Sequence, residues 1–278
     1  VRSVLVTGAS TGIGRAIALG LDAAGWRVFA GVREEADAAS LREAGSPRIA
    51  PVFLDVTDPE QIAAAATRIE EESEGGLDGL VNNAGIGIPG PLETLPLEDL
   101  RRQLEVNLIA YVAVTQALLP QIRKGKGRVV FISSIGGRIA LPFAGAYHTA
   151  KFGTEAVGDV FRQELRPWGL RVSIVEPGTI DTSIWERSQR HADDVQARSP
   201  KTELLYGSGM ARLRKAMQTL AERGIPPEKV AKAVAHALES PRPRTRYLVG
   251  LDAQVQARLK PFIPTPIFDR LVARTFGM

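Results

Sequence analysis

The stretch Val4-Leu5-Val6-Thr7-Gly8-Ala9-Ser10-Thr11-Gly12-Ile13-Gly14 decides the fold. An apolar run ends in three glycines spaced G-x3-G-x-G, and a segment with helical apolar spacing, Gly14–Ala24, follows at once. Glycines permit a tight turn and let backbone N–H groups approach a pyrophosphate at a helix N-terminus. A glycine-rich turn alone is weak evidence; placed directly after the first strand, it reads as a dinucleotide-phosphate loop.

Outward from this loop, Ser3–Thr7, Arg27–Val32, Ile49–Leu54, Leu77–Val81, Gly127–Ser133 and Leu170–Glu176 read as strands. The segments Asp58–Glu72, Leu97–Ile122 and Ala146–Leu165 carry apolar residues at helical spacing. This alternation predicts an α/β fold, a doubly wound parallel sheet of Rossmann type with helices on both faces. Ligands are then expected at the carboxyl ends of the strands. Local signals agree. Asp58-Pro59 supplies an N-cap and first-turn proline, Gly75-Gly76 ends that helical region, and Pro226-Pro227-Glu228 opens another helix.

Residues 178–224 break the rhythm, mixing polar residues with short helical pieces. They read as a substrate-covering insertion within a single domain spanning 1–278. A C-terminal extension, 241–278, holds seven basic residues and two acids, so its excess of five exceeds the whole chain's +4. Bulky residues from Phe262 to Phe276 are interleaved with these charges. Packing on the domain or on a partner subunit is expected, because Pro261, Pro264 and Pro266 prevent one long amphipathic helix; an anionic membrane surface is the alternative.

Composition narrows the function. The absence of cysteine excludes disulfides, thiol catalysis and cysteine-based zinc sites. His148, His191 and His236 are far apart in sequence, with no matching carboxylate spacing, so no metal site is expected. No apolar run approaches the ~18 residues of a membrane span. A strand begins almost at the first residue, so no signal peptide is read and a cytoplasmic location is expected. Nothing in the chain suggests nucleic-acid binding.

Further motifs stand in a definite order. Asp55-Val56 closes the third strand, Asn82-Asn83-Ala84-Gly85 ends the fourth, and Pro177-Gly178 with Thr182 follows the sixth. With the T-G-x3-G-x-G loop they resemble the short-chain dehydrogenase/reductase family, over about Val4 to Thr182. The resemblance implies a nicotinamide-dinucleotide site built from Gly8, Ser10, Thr11, Gly12, Ile13 and Gly14 at the phosphates. It implies Asp55 and Val56 at the adenine. Asn83, Ala84 and Gly85 also belong to that site, with Pro177, Gly178, Ile180 and Thr182 on the nicotinamide side. At the end of the second strand Val32 is followed by Arg33, with no acid to accept hydrogen bonds from the ribose hydroxyls. A guanidinium suits a 2′-phosphate, so NADP is expected over NAD. Glu34 and Glu35 read as the first turn of the next helix, where carboxylates favour the positive dipole end.

Tyr147-His148-Thr149-Ala150-Lys151 carries the chemistry. Four residues apart on a helix, Tyr147 and Lys151 share a face. A neighbouring ammonium favours the phenolate, so Tyr147 is expected to have a lowered pKa and to exchange a proton with an alcohol or carbonyl. Ser134 lies thirteen positions earlier, at the end of the fifth strand, an offset that resembles the family pattern. Its hydroxyl can bond the substrate oxygen, and Ser133 points to the opposite face. The resemblance gives Asn107 a water in a proton relay with Lys151, and gives Lys151 the nicotinamide ribose. His148, turned about 100° from that face, reads as packing or surface rather than as a base.

Ser133-Ser134-Ile135-Gly136-Gly137-Arg138 through Leu141-Pro142-Phe143 to Tyr147 resembles the subgroup of 17β-hydroxysteroid and retinol dehydrogenases. Glu176-Pro177-Gly178 and the strand Arg246–Gly250 do so too. This implies a bulky apolar alcohol or ketone as the small-molecule partner, with Ile86, Ile135, Leu141, Phe143, Ile184 and Trp185 as pocket candidates beside Ser134 and Tyr147. A homo-oligomer is expected. Alternatives are a non-catalytic NADP(H)-sensing or lipid-binding relative, or a dehydrogenase of small polar hydroxy compounds.

Overall fold

The computed structural model describes residues 1–277. Seven parallel strands form one sheet: β1 (Ser3–Val6), β2 (Arg27–Val32), β3 (Ile49–Phe53), β4 (Gly79–Asn82), β5 (Arg128–Ile132), β6 (Arg171–Pro177) and β7 (Arg246–Val249). Their order is β3-β2-β1-β4-β5-β6-β7, which reverses direction between β1 and β4. A crevice opens at such a switch point, at the carboxyl ends of the strands. The helices are α1 (Gly12–Ala23), α2 (Glu35–Ala44), α3 (Pro59–Glu72), α4 (Leu97–Leu104), α5 (Ala110–Gly125), α6 (Gly145–Glu164), α7 (Ile184–Arg198), α8 (Pro200–Glu222), α9 (Glu228–Glu239), α10 (Leu251–Leu259) and α11 (Thr265–Phe276).

Side chains alternate across the strands and are apolar on both faces, as a parallel sheet covered twice requires. Val4, Val6, Val28 and Ala30 meet Ile17 and Leu21 of α1 and Val230 and Val234 of α9. Leu5, Phe29, Leu80 and Phe131 meet Ile69 of α3 and Tyr111, Val114 and Leu118 of α5. Asp58 caps α3 as its position suggests, its carboxylate accepting from the N–H groups of Glu60 (2.9 Å) and Gln61 (3.3 Å).

Two departures from the sequence reading affect the site. The helical stretch after Leu97 contains one widened π turn, Glu105–Ile109, before α5 begins. Residues 178–224 hold two full helices, α7 and α8, rather than short pieces. Their buried Ala192 and Val195, then Met210, Leu213 and Met217, fall at helical spacing within mostly polar sequence. In the C-terminal extension Phe276 is buried against this pair, with Val272 beside it, while Phe262, Ile267 and Leu271 face outward.

Candidate active site

The cleft begins at the phosphate loop. Gly8 has φ 64°, a left-handed conformation that favours glycine. A Cβ on Gly14 would run into the Gly8 carbonyl and the Asn83 amide, so the loop closes this tightly only with glycine there. Thr7 Oγ1 accepts from the N–H groups of Asn83 (2.9 Å) and Ala84 (3.0 Å), and Asn83 Nδ2 donates to the Thr7 and Gly8 carbonyls (2.9 and 3.1 Å). The asparagine side chain is therefore spent on shaping the loop. Thr11, at the N-cap of α1, makes no side-chain cap, which leaves the first-turn N–H groups facing the cleft. A glycine cradle at an uncapped helix N-terminus fits a dinucleotide pyrophosphate.

The loops leaving the carboxyl ends of β1 to β6 surround one cleft of about 810 Å³. Gly8, Ser10, Thr11, Gly12, Ile13, Gly14, Arg33, Asp55, Val56, Ala84, Gly85, Pro177, Gly178, Ile180 and Thr182 all line it, as do Asn107, Ser134, Tyr147 and Lys151. Glu35 opens α2, as expected of that acid pair, with Glu34 at its N-cap. Asp55 Oδ1 accepts from Thr57, through its N–H (2.9 Å) and hydroxyl (2.7 Å).

At the chemical centre, Ser134 follows β5 and its Oγ accepts from the Gly136 N–H at 3.0 Å. A hydrogen bond from Ser134 favours the Tyr147 phenolate, but desolvation within the cleft is the larger influence and pushes the phenol above its ordinary range. This corrects the expectation of a lowered value. Lys151 Nζ lies 5.9 Å from the Tyr147 ring centroid and donates to the Ile132 carbonyl at 2.8 Å. Burial itself lowers the ammonium to about 8, against a smaller opposing pull from Glu155. The Asn107 amide is buried in the π turn, its Oδ1 accepting from Ile86 N and its Nδ2 donating to Ile86 O, both at 2.9 Å. It makes no hydrogen bond to Lys151. His148 is buried, its Nδ1 2.9 Å from the Gly136 carbonyl; since a carbonyl only accepts, this nitrogen carries the proton. The histidine packs beneath the Ser134 turn.

The apolar part of the cleft is lined by Ile86, Ile135, Leu141, Ile184 and Trp185. Trp185 is oriented by its Nε1 donating to the Ile180 carbonyl at 2.8 Å. Phe143 is not among the lining residues, which corrects its assignment to the pocket. Its backbone is left-handed (φ 64°), and its ring is buried with Met210, Leu213 and Phe276, tying the Tyr147 loop to α8 and α11. In its place Leu213, Met217 and Phe276 reach the cleft. Sequence spacing could not reveal them, because they approach from elements more than sixty residues after Tyr147. Asp252 of α10 was missed for the same reason. Its Oδ2 accepts from Thr179 N at 2.7 Å, and its carboxylate fills the space a Cβ on Gly178 would need.

Beneath the site Glu176 is fully buried in β6, bound through both oxygens by Arg138 (Nη2 to Oε1 2.8 Å) and approached by Arg246 (3.3 Å). Arg246 also pairs with Glu155 (3.2 Å) and Asp159 (2.7 Å). Burial, then the Glu176 charge, pushes the Glu155 carboxyl upward. This network is the structural reason for glutamate before Pro177-Gly178. Removing Glu176 leaves Arg138 without its carboxylate, although that arginine is partly exposed and Arg246 keeps Glu155 and Asp159, so Glu176→Ala should cost ~2 kcal/mol of stability in urea titration. A loss below ~1 kcal/mol would show the network to be dispensable.

A sheet reversing between β1 and β4, a glycine cradle, and serine, tyrosine and lysine along one cleft define a dinucleotide-dependent dehydrogenase. The chain belongs to the short-chain dehydrogenase/reductase family: residues 2–193 match the family described as short chain dehydrogenase. It is 38% identical over 277 residues to retinol dehydrogenase 5 of Homo sapiens, covering 97% of this chain and 87% of that one. It is 38% identical over 283 residues to 17-beta-hydroxysteroid dehydrogenase type 6 of Bos taurus, covering 98% and 88%. A short chain dehydrogenase from Burkholderia cenocepacia, solved in complex with NADP, superposes with TM-score 0.74 at 27% identity over 97% of each chain. One from Burkholderia phymatum, solved with NAD, has the same fold, with TM-score 0.80 at 22% identity, over 94% of this chain and 93% of that one. Within the family this protein is an NAD(P)-dependent alcohol dehydrogenase or carbonyl reductase of the retinol and 17β-hydroxysteroid dehydrogenase subgroup.

Proposed function

We propose that the protein transfers a hydride between NADP(H) and a bulky apolar alcohol or ketone of steroid, retinoid or lipid-like character. One observation carries this reading. The cleft that holds the phosphate loop and Arg33 continues past Ser134 and Tyr147 onto a wall of Ile135, Leu141, Ile184, Leu213, Met217 and Phe276. Tyr147 gives its proton to a carbonyl, or takes one from an alcohol, at the phenolic oxygen. The Ser134 hydroxyl donates to the substrate oxygen and stabilises charge developing there. Lys151 would hold the nicotinamide ribose hydroxyls, while the Asn107 amide, bonded through both ends to Ile86, fixes the segment that follows β4 beside it. The bound nicotinamide supplies or receives the hydride.

Arg33 supports NADP over NAD. It stands at the end of β2 with no carboxylate at the strand end, whereas the adjacent acids belong to the start of α2. Arg33→Ala should raise the NADPH dissociation constant roughly 10-fold or more, as loss of a charge-assisted hydrogen bond does, and change NADH little. Adding Val32→Asp should tip preference toward NADH. Equal losses for the two cofactors, read by titration calorimetry, would remove Arg33 from the 2′-phosphate.

Association of like chains is supported by Phe152 and Val160, exposed two turns apart on α6. Among the described residues no helix is long and apolar enough to cross a membrane, and no group of metal-ligating side chains gathers.

A further inference from the structure

Arg187 lines the cleft but takes no part in the hydride transfer proposed above. Arg187 lies in the first turn of α7, on the lobe that covers the apolar part of the cleft, yet its side chain turns away from that part. Its Nη1 donates to Thr11 Oγ1 of the phosphate loop at 3.2 Å. The two elements are in close contact there, since a Cβ on Gly12 would stand 3.0 Å from the Thr182 side chain just before α7. Arg187 is half-buried and lines the cleft, and the charges of Arg33 and Arg190 both bear on it. Two guanidinium groups, Arg33 just after β2 and Arg187 on α7, therefore line the cleft beside the phosphate loop, with the exposed Arg190 about one turn further along α7. Among the described residues none of the three forms an ion pair, although fourteen carboxylate pairings satisfy other basic residues. The neighbouring Glu186 charge opposes the two arginines only as the smallest influence on Arg187, so the like charges repel one another and an anion placed among them relieves that repulsion.

We propose that Arg187 is a second arm of the 2′-phosphate clamp, carried on the substrate-covering lobe, so that binding the phosphorylated dinucleotide fastens α7 and α8 over the apolar cleft. The inference rests on the NADP reading of Arg33. It adds that cofactor choice and substrate enclosure are coupled through a single side chain. Arg33 comes from the rigid sheet and Arg187 from the lobe, so a phosphate held by both bridges the two. An unphosphorylated ribose offers that bridge only neutral hydroxyls, and it fastens the lobe less firmly. Leu213 and Met217 of α8 reach the cleft from the same lobe, which places the substrate wall under the control of this bridge.

The test measures binding and lobe protection rather than turnover. Dissociation constants for NADPH, NADH and adenosine 2′,5′-bisphosphate are compared for the wild-type chain, Arg187→Ala, Arg187→Lys and Arg33→Ala. Hydrogen exchange across residues 184–222 is followed with and without each ligand. Arg187→Ala should weaken NADPH and the bisphosphate by roughly 10- to 100-fold and NADH by less than about threefold. Arg187→Lys should recover part of the loss. NADPH should slow exchange in the lobe of the wild-type chain more than NADH does, and Arg187→Ala should abolish that difference. Equal weakening of NADPH and NADH by Arg187→Ala overturns the proposal, because a pyrophosphate contact or a purely structural tie to Thr11 predicts that result. So does unchanged NADPH binding. If Arg33→Ala remains selective in either case, the NADP reading stands without the clamp. A wild-type chain that binds NADPH no more tightly than NADH overturns the NADP reading itself.

Discussion

Replacing Tyr147 with phenylalanine is expected to lower turnover by roughly 10²–10⁴-fold, the usual cost of one general acid–base group, while leaving NADPH affinity close to wild type. The ring is retained, so the packing of α6 beside the Ser134 turn persists; only the transferable proton is lost. A phenol is protonated through the neutral range to begin with, and desolvation pushes Tyr147 further that way, opposed by the bond from Ser134. A phenol held this way is suited to give its proton to a carbonyl. Oxidation of an alcohol needs the phenolate instead, and should therefore gain rate as pH rises. Ser134→Ala removes the bond that favours the phenolate and should move that rise to higher pH. Near wild-type turnover in Tyr147→Phe would remove this residue from the chemistry.

Lys151→Met is expected to lower turnover by a comparable ~10²-fold or more and yet to stabilise the protein at neutral pH. The ammonium is buried with the Ile132 carbonyl as its only hydrogen-bond partner among the described residues, and its value falls to about 8 from 10.5. A cationic group with a depressed folded-state value binds fewer protons in the native chain than in the unfolded one between those two limits. Stability contributed by this site therefore rises with pH from 8 to 10.5, and the full penalty is present below pH 8. Each unit is worth ~1.4 kcal/mol, but losing the bond to Ile132 offsets part of the gain, so a net stabilisation of about 1–2 kcal/mol is expected at pH 7. The variant should also lose the rise between pH 8 and 10.5 in urea titrations at stepped pH. A variant destabilised at pH 7 would mean that the ammonium earns its place by contacts other than the one to Ile132.

The readable parts of the sequence were those governed by local physics. Strand ends were placed within about two residues because runs such as Arg27–Val32 are apolar on both faces. The phosphate loop was legible because Gly8 needs a left-handed backbone and Gly14 has no room for a Cβ. Tyr147 and Lys151 are legible from their spacing on one helix face, and Ser134 from its place at a strand end together with the family resemblance. What spacing could not show was set by tertiary contact. Phe143 has the composition of a pocket residue, but its left-handed backbone and the ring of Phe276 draw it into the lobe. The π turn holding Asn107 has an apolar pattern indistinguishable from the α-helix on either side. Arg187 and Asp252 come to the loop from α7 and α10, and Tyr147 has its phenol shifted by the cleft walls rather than by its helix neighbour.

The most direct test of the central claim is the initial rate of NADPH oxidation by the wild-type chain against steroid, retinoid, aliphatic and sugar carbonyl compounds, with NADH run in parallel. The apolar wall and Arg33 predict that kcat/KM is highest for a steroid, retinoid or long aliphatic ketone with NADPH, and that sugars are poor substrates. A preference for a sugar or small hydroxy compound, or equal use of NADH, would contradict the account.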